Sequence, residues 1–284
     1  MIKNKKDTST KKSKIQVIDL HKSFGKNHVL RGINFEIEEG ESLVVLGGSG
    51  SGKSVLLKCV IGLLTPDKGQ ILIDGKDVLK MNTRQRDEVR HKFGMLFQGA
   101  ALFDSLTVWR NIGFELLYNQ KLPAEKVQRI VRQKLKAVGL GDRVMELSPA
   151  ELSGGMQKRV GLARAIASNP EIIFFDEPTT GLDPIMCGVI DKLIVQSLRD
   201  LNACGITITH DIATARFVAD KIAMLKEGKL VWTGKSSDLE KTKNSIVKEF
   251  INGHVHKTDN SSIKASKASK KALEVATKRR EQTK

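Results

Sequence analysis

The chain has 284 residues, 40% of them hydrophobic, and a formal net charge of +16; this length and apolar content suffice for one large domain or two small ones with a proper core. No run reaches the ~18 consecutive apolar residues of a membrane span, and the opening MIKNKKDTSTKKSK has basic residues with no apolar stretch behind them, which argues against a secretory signal and for a cytoplasmic protein. Three cysteines, Cys59, Cys187 and Cys204, lack ligand-like spacing, so neither a disulfide framework nor a zinc site is expected.

The charge is uneven. Residues 1–14 carry six Lys against one Asp, and residues 252–284 carry nine Lys or Arg against three acids. Both ends are rich in Lys, Ser and Thr and poor in large apolar side chains, a composition that cannot offset the entropy of ordering. Basic, mostly disordered tails are therefore expected over 1–14 and 251–284, with attraction to an anionic membrane surface or a partner as the sharper reading. Neither tail holds an aromatic residue for base stacking, so no nucleic-acid partner is expected.

Between the tails the chain reads as α/β. KIQVIDL, HVLRGINFEIEEGESLVVLGG and GQILIDGKDV supply short strands before and after one helix, KSVLLKCVIGLL, and FGMLFQ at 93–98 is the next strand candidate. From about Ser105 to Glu151 the pattern turns helical, as in PAEKVQRIVRQKLKAVGL, where Ile130, Leu135 and Val138 recur near helical spacing. EIIFFDEP, GITITHD and KIAMLKEGKLVWTG then return as strand-length apolar runs separated by helices.

GGSGSGKS at 47–54 matches G-x-x-x-x-G-K-S between a strand and a helix. Glycines let successive backbone N–H groups turn inward around an anion, and the following helix points its positive end at the same place. Lys53 is placed to reach β- and γ-phosphates and Ser54 to ligate Mg²⁺. IIFFDEP delivers Asp176 and Glu177 at the C-terminal end of a strand, where successive side chains diverge. Asp176 can face Mg²⁺ while Glu177 polarises an attacking water. ITITHD closes another strand with His210, read as a γ-phosphate contact. LSGGMQKRVGLARA at 152–165 is a second glycine-bearing loop entering a helix, so Ser153 with the amides of Gly154 and Gly155 forms another anion site.

Together these motifs, spread over residues 15 to about 250, resemble the ATPase subunit of ABC transporters, and LSGGM is the most specific of them. The resemblance implies a P-loop NTPase (RecA-like) core with an N-terminal antiparallel β subdomain and an inserted α-helical subdomain at about 99–164. It implies ATP binding by Gly47, Gly48, Ser49, Gly50, Ser51, Gly52, Lys53, Ser54 and Val55, and adenine stacking on Phe24, where the family usually has Tyr. It implies Mg²⁺ contacts from Ser54, Gln98 and Asp176. Glu177, His210 and Lys53 become the catalytic set, Asp183 of TTGLDP runs between the two sites of a dimer, and Ser153, Gly154 and Gly155 act on ATP held by a second, head-to-tail copy. Met156 stands where the fifth signature residue is usually Gln, a departure that leaves Ser153 and the glycines intact.

MLFQGAALFDSLTVWRNIGF and SPAELSGGMQKRVGLARAIASNPEIIFFDEPTTGLDPI look most like the Mla and Mce branch, which powers phospholipid transport. That resemblance implies a separate permease dimer, an MCE-domain lipid-binding protein, in some systems a STAS-domain subunit, and a peripheral position on the cytoplasmic face of the inner membrane. The alternative is an importer of a polar solute such as a nucleotide or amino acid. The apolar GAALF at 99–103 is expected to be covered, by the permease or by the subunit's own helical region.

Overall fold

A computed structural model describes residues 13–253. Residues 1–12 and 254–284, which hold nearly all of both basic tails, lie outside the described residues, and with them the expected disorder. Two boundaries move. The first strand, β1 (Ser13–Phe24), already includes Lys14, 7% exposed and paired with Asp74 and Glu171, because this network ties the strand's start into the fold. At the other end a helix over 245–253 continues past residue 250.

The described residues up to Ser237 form one compact unit. β1 pairs antiparallel with β2 (Asn27–Glu38) and with β4 (Lys68–Ile73), which pairs with the short β5 (Lys76–Asp77), giving the order β2-β1-β4-β5. A second sheet holds β3 (Ser42–Leu46), β6 (Phe93–Leu96), β7 (Ile172–Asp176), β8 (Cys204–Thr209), β9 (Lys221–Lys226) and β10 (Lys229–Lys235) in the order β10-β9-β3-β8-β7-β6. Its pairs are parallel except β9 with β10. β3 and β8 are buried throughout and β7 up to its last residue, which is why SLVVL and IIFF read as near-continuous apolar runs; in CGITIT the threonines alternating with Ile are buried as well.

Between β3 and β4 runs α1 (Lys53–Val60), shorter than the sequence pattern suggests because the chain turns at Gly62, whose φ is +77°. α2 (Thr83–Arg90) was not legible as a helix. It buries no residue and so has no apolar stripe; its signal is the reciprocal cap between Asn82 and Gln85.

The inserted helical region contains α3 (Val108–Ile112), α4 (Phe114–Tyr118), α5 (Ala124–Ala137) and α6 (Gly154–Ala165). In α5 the buried row is Val127, Val131 and Leu135, followed by Val138, whereas Ile130 is only half-buried. α6 lies flush on β6. A Cβ on Gly94 would stand 2.1 Å from the Ala165 carbonyl oxygen, and one on Gly161 2.9 Å from Leu96. α7 (Pro184–Leu201) and α8 (Ile212–Val218) complete this unit. The described residues from Asp238 onward belong to a separate unit, in which Asn244 Oδ1 accepts from the amides of Ile246 and Val247 at the start of the helix over 245–253.

Candidate active site at the ends of β3, β7 and β8

The registers Leu46↔Thr209 and Asp176↔Ile208 bring the ends of three neighbouring parallel strands level. The glycine loop leaves β3, Asp176 and Glu177 close β7, and Thr209 leads β8 into His210. The Gly47 amide donates to the Thr209 carbonyl at 3.3 Å, and the Glu177 amide to the Ile208 carbonyl at 2.9 Å.

Glycine is required in the loop on steric grounds. A Cβ on Gly47 would sit 2.4 Å from the Leu225 carbonyl oxygen, and Gly52 has φ +106° with a would-be Cβ 3.0 Å from the Val29 carbonyl. That approach sets the loop against β2, in the hairpin that carries Phe24. The Phe24 ring is 49% exposed, with Lys22 Nζ 5.5 Å from its centroid. Ser49, Gly50 and Ser54 are exposed, Ser51 and Val55 partly so.

Lys53, at the first turn of α1, is 7% exposed and donates to the carbonyls of Gly47 at 2.8 Å and Gly48 at 3.1 Å. Its Nζ lies 3.5 Å from Glu177 Oε1. The other oxygen, Glu177 Oε2, is 2.8 Å from His210 Nδ1 and accepts from Thr180 Oγ1 at 3.0 Å and Thr209 Oγ1 at 3.4 Å. Thus Lys53, which lies more than a hundred positions before the other two, shares one contact network with Glu177 and His210. The two threonines around Glu177 were not read from the sequence, although both flank the acid and His motifs.

Asp176 differs from its neighbour. Burial pushes its carboxyl above the ordinary range and the adjacent Glu177 adds to the rise, while Lys58, Lys158 and Lys53 oppose it. Its Oδ1 is buried with no hydrogen-bond partner among the described residues, as is Ser51 Oγ. An orphaned carboxylate oxygen beside a phosphate-type loop fits a hard divalent cation. No cluster of three or more His, Cys, Asp or Glu among the described residues could cage a metal, but Mg²⁺ keeps waters and substrate oxygens and needs only one or two protein ligands.

Gln98 enters the network through its backbone. Its carbonyl accepts from Lys158, a 6% exposed residue of α6 that also donates to the Glu177 carbonyl at 3.4 Å. Burial lowers the pKa of this ammonium, against the pull of Asp176, Glu177 and Cys187. Lys158 was also missed, since a lysine on a polar-looking helix reads as solvated.

The second glycine loop does not join this network. Ser153 caps α6, its Oγ accepting from the Met156 amide at 3.3 Å, and Ser153 and Gly154 are exposed. Gly155 instead faces Met186, at 3.1 Å from a would-be Cβ. The Met186 and Ile185 amides donate to Asp183 Oδ1, both at 3.0 Å, so Asp183 caps α7 and stands by the second loop's helix.

Strand-borne phosphate loop, paired acids, His210 and a separate exposed glycine loop on an inserted helical region define an ATP-hydrolysing cassette. Residues 30–180 match the family model described as ABC transporter, and the chain belongs to that family. It is 41% identical over 239 residues to the probable ribonucleotide transport ATP-binding protein mkl of Mycobacterium leprae, covering 84% of this chain and 69% of that protein. It is 38% identical over 239 residues to the intermembrane phospholipid transport system ATP-binding protein MlaF of Haemophilus influenzae, covering 84% of this chain and 90% of that one. A solved dimeric ATP-binding cassette in a post-hydrolysis state, bound to ADP and Pi, superposes with TM-score 0.72 at 31% identity over 78% of this chain and 98% of that one. The chain is the ATPase subunit of an ABC transporter: it binds ATP and couples its hydrolysis to transport. Cassettes of this family pair as dimers and work with a membrane permease, and no described helix of this one is long and apolar enough to cross a membrane.

Proposed function

We propose that this subunit, as a head-to-tail homodimer, drives phospholipid transport through a separate permease, and that Glu177 is the group that polarises the attacking water. The observation that carries the chemistry is the contact set of Glu177 with Lys53, His210 and two threonine hydroxyls at the ends of three parallel strands. Gly47 through Val55 wrap the phosphates with their amides, Lys53 takes the β- and γ-oxygens, and Phe24 stacks on adenine. His210 fixes one Glu177 oxygen and contacts the γ-phosphate. Ser54, Gln98 and Asp176 would hold Mg²⁺, which when bound offsets the charge developing on the phosphate oxygens. Ser153, Gly154 and Gly155 act on the partner's ATP, and Asp183 links the two sites; the exposure of the second loop and its separation from this chain's own Lys53–Glu177 network support that assignment.

The phospholipid reading rests on the similarity to the Haemophilus phospholipid ATPase, which this chain matches over 90% of its length. The second reading, a polar-solute importer, draws on the 41% identity to the ribonucleotide relative. The permease would seat in a cleft of about 580 Å³ bordered by Arg90, Met95, Tyr118 and Arg164, placing the subunit on the cytoplasmic face of the inner membrane. An MCE-domain protein and a STAS-domain subunit are the further partners that the phospholipid reading brings. Isolation of the intact membrane complex tests it: an MCE-domain partner and ATP-dependent phospholipid movement between liposomes are expected, whereas a solute-binding protein with no lipid movement would establish the importer.

A further inference from the structure

Two stretches of strained backbone border the site. Glu177 has φ +46°, and Ala100 and Ala101 have φ +60° and +49°, left-handed conformations that non-glycine residues hold only when their surroundings impose them. Both stretches are gripped by cations from α6. Lys158 donates to the Gln98 and Glu177 carbonyls. Arg164 donates to the Ala100 carbonyl at 2.6 Å and the Ala101 carbonyl at 2.7 Å. Three of the four carbonyls over 98–101 are therefore held by one helix, the helix whose N-terminus carries Ser153.

Lys158 is the more telling of the two. A buried ammonium ordinarily seeks a carboxylate, and Asp176 and Glu177 are close enough to oppose the lowering that burial imposes on its pKa. Yet both hydrogen bonds it makes among the described residues go to backbone carbonyls, one on each loop. With the Glu177 amide bound to Ile208, the peptide groups on both sides of this strained residue are fixed. We propose that Lys158 is a positioning residue for hydrolysis, locking the Gln98 loop and the backbone of Glu177 to the signature helix so that the glutamate carboxylate stands where an attacking water can be polarised. This rests on Glu177 being the hydrolytic acid, as proposed above. Because the same helix presents Ser153 outward, seating of the partner's nucleotide on Ser153 and the aim of Glu177 are mechanically one event.

The test compares Lys158→Met, which keeps the length of the stem and removes the ammonium, with Lys158→Arg and with Glu177→Gln. Small misplacement of a catalytic group costs between about tenfold and a hundredfold in rate. Lys158→Met is expected to lower kcat by that amount with KM and the nucleotide Kd of the isolated subunit within about twofold. It should also accumulate the ATP-bound dimer, as is expected of Glu177→Gln, and Lys158→Arg should restore most of kcat. Wild-type kcat in Lys158→Met, beside a slow Glu177→Gln, overturns the proposal and leaves the hydrolytic assignment standing; a fast Glu177→Gln overturns that assignment itself. Should Lys158→Met fail to fold, Lys158→Leu, which also lacks a donor for the two carbonyls, is expected to show the same split between kcat and KM. Unfolding of both, or kcat and nucleotide affinity falling together, would make Lys158 a structural residue and overturn the proposal.

Discussion

Glu177 and Asp176 are adjacent in sequence and occupy opposite environments, and this contrast is where the site's chemistry begins. Glu177 has partners on both oxygens, whereas Asp176 has a buried oxygen with no partner among the described residues. Replacing Glu177 with Gln should slow hydrolysis by roughly a hundredfold to ten-thousandfold, the usual worth of a positioned general base, while fluorescent nucleotide titrations show ATP affinity retained. A variant hydrolysing at the wild-type rate would remove Glu177 from the mechanism. Asp191 offers a stability test away from the nucleotide. It is 5% exposed, burial pushes its pKa up to about 6, the Thr214 hydroxyl opposes the shift and Asp211 adds to it. A carboxyl with a raised folded pKa stabilises the fold below its unfolded value near 4 and loses that contribution as pH rises through about 6. The loss approaches about 2 to 3 kcal/mol at pH 7. Asp191→Asn should therefore raise the thermal midpoint at pH 7 and leave it nearly unchanged at pH 4; a lower midpoint at pH 7 would show that the ionised carboxylate is the stabilising form. Asp176, Glu177 and His210 were legible because they close apolar runs, and Lys53 because it stands in the G-x-x-x-x-G-K-S pattern. Lys158, Thr180 and Thr209 were not, because a side chain that turns inward from a polar-looking segment leaves no periodic trace.

At the scale of elements, α6 is the piece that joins core to helical region. Its fit on β6 depends on glycines at 94 and 161, where no Cβ has room. Gly94→Ala would force a carbon to 2.1 Å from a backbone oxygen, so the expected outcome is a loss of about 1 to 3 kcal/mol, the range of overpacked cores, read as a lower midpoint in chemical unfolding. No change in stability would mean that helix and strand separate freely. The buried strands β3, β7 and β8 were legible as apolar segments of strand length, and the inserted helices as a change of period. α2 escaped because it buries no residue. GAALF is only partly covered by its own chain. Ala100 is buried, while Phe103 is 44% exposed, its ring 4.7 Å from that of Phe114 and its backbone held by Asn111. Substituting Phe103 alone with Ser should then weaken recovery of the permease with the subunit while leaving nucleotide affinity intact; an unfolded variant would assign the ring wholly to the subunit's own helical region.

For the whole molecule, the two glycine loops imply an assembly that one chain cannot complete. The first loop sits inside the Lys53–Glu177–His210 network, and the second faces outward on α6 beside Asp183 and Met186. Sequence alone revealed both loops through their glycines, and the family resemblance implied that the second serves another copy; the contacts around Lys53, Glu177 and His210 follow from which strands lie side by side. The central claim is that each ATP is held by one copy's first loop and closed by the other copy's second loop. Its most direct measurement is ATP turnover by a mixture of Ser153→Arg and Lys53→Ala subunits, each inactive when assayed alone. A head-to-tail heterodimer has one site with both loops damaged and one with both intact, so turnover on mixing is expected to recover to a sizeable fraction of the wild-type rate. Turnover that stays at background although the heterodimer forms, together with loss of ATP affinity in Ser153→Arg by itself, would contradict the account by showing that the second loop serves its own chain's nucleotide.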